Sequence, residues 1–173
     1  VIPAAGRGSR FGGETPKQYL EIAGRPLIAH ALDALLSHPR IAGAMVALSK
    51  NDALWPGWAN LHGKPVLRSV GGGERADSVL AALQALPVEV GDDALVLVHD
   101  AARPNLRSED LDRLIAAASA HVDGAILGAP VRDTLKRADA AAHIAATEPR
   151  ERVWRAFTPP AFRRGALTAA LEQ

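Results

Sequence analysis

Short, near-continuous apolar runs alternate with amphipathic stretches along this chain, and this alternation restricts the possible folds more than any other feature. The apolar runs lie at 1–4, 42–49 ("AGAMVALS"), 65–70 ("PVLRSV"), 94–100 ("ALVLVHD") and 124–130 ("GAILGAP"). Each reads as a buried strand, the one at 65–70 shorter than the run at 42–49. Between them, residues 26–38 place Leu27, Ile28, Ala31, Leu32, Leu35 and Leu36 on one helical face, with Pro26 suited to a first turn. Residues 74–86 turn Val79, Leu80, Leu83 and Leu86 inward, and 108–121 opens on Ser108 as an N-cap with acids in its first turn. Strands that are apolar on both faces need cover on both faces, and helices between successive strands supply it. The pattern predicts a doubly wound three-layer α/β/α sandwich around a mostly parallel sheet. Past Pro130 two weaker alternating stretches, 131–137 and 142–147, read as a β-hairpin arm spanning about 131–152.

The length of 173 residues suits one domain, and 48% hydrophobic residues can fill its core. The formal net charge of +1 gives no overall field for nucleic acid or an anionic membrane, so any anion site must be local. With no cysteine, disulfides and thiolate metal sites are excluded. No apolar run is long enough to span a bilayer, and no leader is visible, so a cytoplasmic domain is the expectation. Both ends read as cut: Val1 begins inside a strand pattern, and "RRGALTAALEQ" stops inside a helical one.

In doubly wound sheets, ligands sit beyond the carboxyl ends of the strands. The polar segments expected there are "GRGSRFGG", "GGGER", "HDAARP" and "PVRDTLKR". In the first, Gly6, Gly8, Gly12 and Gly13 allow close approach of backbone N–H groups to an anion, and Arg7, Arg10 and Lys17 add charge. It completes neither a P-loop nor a GxGxxG pattern, so alone it reads equally well as a solvated turn. "GGGERADS" at 71–78 is a strand-to-helix turn, with Glu74 and Asp77 serving the helix dipole, or else a backbone contact to a nucleoside anchored by Ser78. In "HDAARP", Asp100 offers hard oxygen ligands to a divalent ion. His99 reads as a packing and hydrogen-bonding residue, and Arg103 as a phosphate clamp or the ion-pair partner of Asp100. His30, His38, His62 and His121 show no metal spacing, and Trp55 and Trp58 read as loop packing.

Together "PAAGRGSRFG", "PKQYL", "GGGERADSV", "HDAARP", "PVRDTLKR" and "RERVWRAFTP" resemble, in order and spacing, the 2-C-methyl-D-erythritol 4-phosphate cytidylyltransferases of the non-mevalonate isoprenoid pathway. The resemblance runs essentially from end to end. It implies a Rossmann-like nucleotide-diphospho-sugar transferase fold and transfer of CMP from CTP to methylerythritol phosphate, with Mg²⁺ or another divalent cation as cofactor. By the same resemblance, Arg10 and Lys17 stabilise the triphosphate and the transition state, and Asp100 helps hold the metal. Pro3, Ala4, Ala5, Gly6, Gly8, Gly72, Gly73 and Ser78 surround CTP. Arg103, Thr134, Arg150 and Thr158 surround the polyol phosphate. The family's arm reaches across a homodimer, so Thr134 and Arg150 would serve the partner's site.

The chain departs from the family pattern at Pro160, where glutamine is usual, and at Gly73, where some members carry aspartate. It also lacks a later lysine-bearing segment, so the catalytic domain is expected to continue past residue 173. Two alternatives remain open: a ribitol-5-phosphate or related polyol-phosphate cytidylyltransferase, and a non-catalytic nucleotide-binding homologue.

Overall fold

The computed structural model describes residues 1–6 and 15–173. β1 (Ile2–Pro3) is followed by a 3-10 turn at Lys17–Tyr19, a small antiparallel hairpin of β2 (Glu21–Ile22) and β3 (Arg25–Pro26), and α1 (Leu27–Leu36). Next come β4 (Ala44–Leu48), β5 (Asn60–Leu61), β6 (Lys64–Val70), α2 (Arg75–Gln84), β7 (Leu95–Leu97) and α3 (Ser108–Ala120). β8 (Ala125–Pro130), the hairpin of β9 (Leu135–Ala138) and β10 (Ile144–Glu148), β11 (Trp154–Arg163) and α4 (Arg164–Leu171) complete the order.

One ladder runs β1-β4-β6-β5 and another β7-β11-β8. Val1 joins them, donating from its N-terminal nitrogen to the Leu97 carbonyl at 2.7 Å and accepting from the His99 N–H at 2.9 Å. That is the bonding pattern of a parallel pair. β1, β4 and β6 are parallel neighbours, while β5 and β11 run against theirs.

Side chains alternate between the two faces of the sheet. Ile2, Val46 and Leu97 pack in one core with Ile28, Leu32 and Leu36 of α1 and Leu111, Leu114 and Ile115 of α3. On the other face Met45, Ala47, Val96 and Val98 meet Val79, Ala82 and Leu83 of α2, with Leu167 and Leu171 of α4 against Val96 and Val98. The expected three layers and mostly parallel sheet are therefore present.

Several local expectations change. β11 is a central strand that the sequence pattern did not disclose. β8, expected to be buried, is the last strand of its ladder among the described residues, and its side chains alternate between a half-buried face and an open one, with Ile126 59% exposed. β6 spans seven residues rather than being shorter than β4. α3 already contains Ser108, and its first turn is closed by the Arg107 carbonyl, so Ser108 does not cap it. In α2, Ser78 and Ala82 take inward places with Val79 and Leu83, while Leu80 and Leu86 are half-buried. Among the described residues no helix is long and apolar enough to cross a membrane.

A cleft at the carboxyl edge of the sheet

Three strands end on one cleft of about 320 Å³. β1 delivers Pro3, Ala4, Ala5 and Gly6; β6 runs into Gly72 and Gly73; and β7 runs on to Asp100 and Arg103. Lys17, Gln18, Glu74, Arg75 and Ser78 complete the walls. Nine of the residues singled out in the sequence (Pro3, Ala4, Ala5, Gly6, Lys17, Gly72, Gly73, Ser78, Asp100) thus meet in one place, and Arg103 joins them. Gly8 and Arg10 lie outside the described residues.

The turn admits only glycine at Gly71 and Gly72. A Cβ on Gly71 would lie 2.5 Å from the Ala5 Cβ, and one on Gly72 would lie 2.2 Å from the Asp77 Cβ. The turn is pinned from behind by buried Ser78, whose Oγ accepts the Gly72 N–H at 3.1 Å and donates to the Glu74 carbonyl at 3.1 Å. Asp77 Oδ2 accepts the Glu74 N–H at 2.9 Å, tying down the first turn of α2. Ser78 therefore shapes the wall through its hydroxyl, rather than pointing that hydroxyl at an occupant. On the opposite wall buried Gln18 donates from Nε2 to the Ala4 carbonyl at 2.7 Å. This fixes the turn that carries Lys17 against the end of β1. "PKQYL" held the signal for Gln18: a polar residue between Lys17 and a tyrosine that packs into the core.

Asp100 sits between two guanidinium groups. Arg75 reaches its Oδ1 from Nη2 at 2.9 Å and from Nε at 3.3 Å, and Arg103 Nε reaches its Oδ2 at 3.0 Å. Of the two readings open for Arg103, the ion pair is the one seen. Arg75 was missed as a site residue, although its place directly after the glycine cluster was the available clue.

Behind Asp100, His99 is almost fully buried. Its Nε2 lies 2.8 Å from the Arg103 carbonyl, which can only accept, so Nε2 carries the proton. Burial pushes the imidazole pKa below its ordinary value, favouring the neutral ring, which leaves Nδ1 as an acceptor. Thr158 of β11 lies 3.2 Å from that Nδ1, accepts the Asp100 N–H at 3.2 Å, and is 3.2 Å from the Val98 carbonyl. His99 is thus the hydrogen-bonding residue expected, and Thr158 backs the cleft from β11.

Thr134 and Arg150 are exposed at the base of the hairpin, away from this cleft; Arg150 donates to the Arg132 carbonyl there. A second cavity of about 280 Å³, at the opposite edge of the sheet, is lined by apolar residues with Arg40 as its one charged side chain. It offers no comparable chemistry.

A divalent cation fits the cleft in a particular way. No cluster of three or more His, Asp or Glu among the described residues forms a cage. A single carboxylate such as Asp100 suits an ion that keeps its waters and shares phosphate oxygens with a substrate, as Mg²⁺ does.

Known proteins share both sequence and architecture. The family model for 2-C-methyl-D-erythritol 4-phosphate cytidylyltransferase matches residues 1–173. The chain is 61% identical to the cytidylyltransferase of that name from Stenotrophomonas maltophilia (strain R551-3), covering 100% of this chain and 75% of that protein. It is 58% identical to the one from Xylella fastidiosa (strain M23), covering 99% and 74%. A crystal structure of a 4-diphosphocytidyl-2C-methyl-D-erythritol synthase superposes with a TM-score of 0.84 at 35% identity, covering 99% of this chain and 76% of that one. The Francisella tularensis 2-C-methyl-D-erythritol 4-phosphate cytidylyltransferase superposes with a TM-score of 0.79 at 29% identity, covering 99% and 74%. A family match over every residue, with the glycine turn, Lys17 and Asp100 gathered at one sheet edge, places this chain in the 2-C-methyl-D-erythritol 4-phosphate cytidylyltransferase family.

Proposed function

We propose that this chain transfers CMP from CTP to 2-C-methyl-D-erythritol 4-phosphate, releasing pyrophosphate. An acceptor phosphate oxygen attacks the α-phosphorus of CTP; the new P–O bond forms as the bond from that phosphorus to the bridging oxygen of the pyrophosphate breaks. The acceptor is a phosphate monoester with a second pKa near 6, so it is largely ionised at neutral pH and needs no general base. The protein's work is to position the reactants and to meet developing negative charge with fixed cations.

The observation that carries this reading is the cleft itself. Backbone from two strand ends faces Asp100 across a cavity that Lys17 and Arg103 also line. Pro3 to Gly6 and the Gly72–Gly73 turn, shaped by Ser78, would receive the nucleoside. Lys17, together with Arg10, would face the triphosphate and the transition state. Asp100 would hold a divalent cation, Mg²⁺ by preference. Such an ion, when bound, supplies charge neutralisation on the triphosphate.

Arg103 and Thr158 would lie toward the polyol phosphate. Thr134 and Arg150 would complete the partner's site in a homodimer formed through the arm at about 131–152, within a single catalytic domain. Support for the dimer comes from an exposed apolar surface on the arm and the strands beside it. Ile126, Ile144, Trp154 and Phe157 are 59%, 69%, 63% and 40% exposed. Ile126 and Trp154 share the outer face of the β8–β11 pair, and apolar residues grouped on one open face support an interface there. Consumption of CTP favours the cytoplasm as the working compartment.

Pyrophosphate release from CTP and Mg²⁺, measured with methylerythritol phosphate and separately with ribitol 5-phosphate, tests the proposal. Release with the first acceptor is expected. Release with ribitol 5-phosphate alone would overturn the acceptor assignment, and release with neither from the full-length protein would favour a binding protein.

A further inference from the structure

We infer that Arg75 is an exchangeable counter-cation, which neutralises Asp100 while the cleft is empty and moves to the triphosphate when nucleotide and divalent cation load together. Arg75 is the first residue of α2, directly after the glycine turn, and its side chain is 57% exposed. Its guanidinium fork spends two N–H groups on Asp100 Oδ1, while Arg103 takes Oδ2. Both oxygens of the Asp100 carboxylate therefore already have cationic partners.

A divalent ion bonded to Oδ1 would lie only a few ångströms from the Arg75 guanidinium, and two like charges at that separation repel even at a half-exposed site. One of them must give way. Arg103 is held close by the local turn, since the Arg103 N–H donates to the Asp100 carbonyl at 3.2 Å and the Arg103 carbonyl meets His99. The Arg75 side chain, equally exposed, reaches Oδ1 from a separate element, the first turn of α2.

Given the CTP reading of this cleft, on which the inference rests, the nearest new anion is the triphosphate itself. A planar guanidinium is well matched to phosphate oxygens. The consequence is a coupling: Arg75 discourages cation binding in the absence of nucleotide and favours it in the presence of nucleotide. Metal and CTP would then load as a unit, and Asp100 would not hold an unproductive cation between turnovers.

The test compares the full chain with Arg75→Met and Arg75→Lys. Mn²⁺ binding without nucleotide is followed by the electron paramagnetic resonance signal of free Mn²⁺. CTP binding with Mg²⁺ and no acceptor is followed by calorimetry, and thermal melting checks that each variant folds. Arg75→Met is expected to bind Mn²⁺ alone about threefold more tightly or better, as a screened cation is removed. The same variant is expected to bind CTP with Mg²⁺ about tenfold more weakly, for loss of one charged hydrogen-bond partner. Arg75→Lys, which keeps the charge but not the fork, is expected to fall between. A merely structural role would weaken both. Unchanged or weaker Mn²⁺ binding in Arg75→Met, with wild-type CTP binding intact, overturns the exchange. Failure of the wild-type chain to bind CTP overturns the nucleotide reading instead, and the Mn²⁺ comparison still decides the pairing of Arg75 with Asp100.

Discussion

Thr158→Val separates two jobs that one hydroxyl could do. In the structure the Thr158 Oγ accepts the Asp100 N–H and lies within 3.2 Å of both the His99 Nδ1 and the Val98 carbonyl. All of those groups belong to β7 and its continuation. Family resemblance, by contrast, sets Thr158 beside the polyol phosphate. Valine keeps the shape and removes the hydroxyl. The Asp100 N–H and the His99 Nδ1 then lose a partner each, and a buried polar group left unpaired costs about 1–3 kcal/mol. Thr158 is only half-buried, so water can recover part of this. A net loss of about 2 kcal/mol is expected, a fall in Tm of roughly 4–8 °C for a chain of this size.

Asp100 would lose one of the bonds that fix its backbone. kcat should therefore fall together with Tm, while KM for the acceptor changes little. Thr158→Ser, which restores the hydroxyl, should recover both. The assays are thermal unfolding and steady-state kinetics with each substrate varied in turn. A large rise in acceptor KM with an unchanged Tm would refute the positioning argument and place the hydroxyl on the substrate.

Three further perturbations bear on the rest of the site. Lys17→Ala should lower kcat more than about a hundredfold with the fold intact, the usual scale for a lost transition-state donor; a drop of less than tenfold would remove Lys17 from the mechanism. Gly71→Ala sets a methyl 2.5 Å from the Ala5 Cβ and 2.8 Å from the Ser78 Oγ, so the two walls of the nucleotide cleft must part. Overpacking of this kind costs about 1–3 kcal/mol, and calorimetry should show weakened CTP binding; unchanged affinity would mean that the walls do not define the nucleotide site. Trp154→Glu buries a charge in the proposed arm interface, so light scattering should report a shift from dimer to monomer, and an unmoved dimer would relocate the interface.

The layered architecture was legible because it follows from periodicity. The runs at 42–49 and 94–100 are apolar on both faces, and only a sheet covered on both sides suits them. The site was legible in outline for a related reason. Strand ends in such a sheet converge, so "GGGERADS" and "HDAARP" could be placed at one edge before any coordinates. Pairing within the site was another matter. Nothing in the spacing says that Arg75 reaches Asp100, because that depends on where α2 starts relative to β7. Nor does a buried Gln18 declare its partner, the Ala4 carbonyl, fourteen residues away. Ser78 was read as an anchor for a ligand, whereas hydrogen bonds to the Gly72 N–H and the Glu74 carbonyl hold its hydroxyl on the loop.

β11 was hidden for a physical reason that also explains its use. "FTPPAF" contains two prolines, and proline in a central strand removes ladder donors, so the stretch argues against a strand. The structure keeps β11 central all the same. Its pairing with β8 shifts register between Phe157 and Pro160, so Thr158 and Pro159 drop out of that ladder. Pro160 cannot donate, but its carbonyl accepts the Val98 N–H at 3.1 Å, and pairing with β7 resumes at Ala161. The interruption frees Thr158 from regular cross-strand pairing and leaves its hydroxyl against His99 and Asp100. A strand with unbroken pairing would present its side chains strictly by alternation, and the carboxylate would lose its backing. The local rule against proline is broken beside the residue whose hydroxyl backs His99 and Asp100.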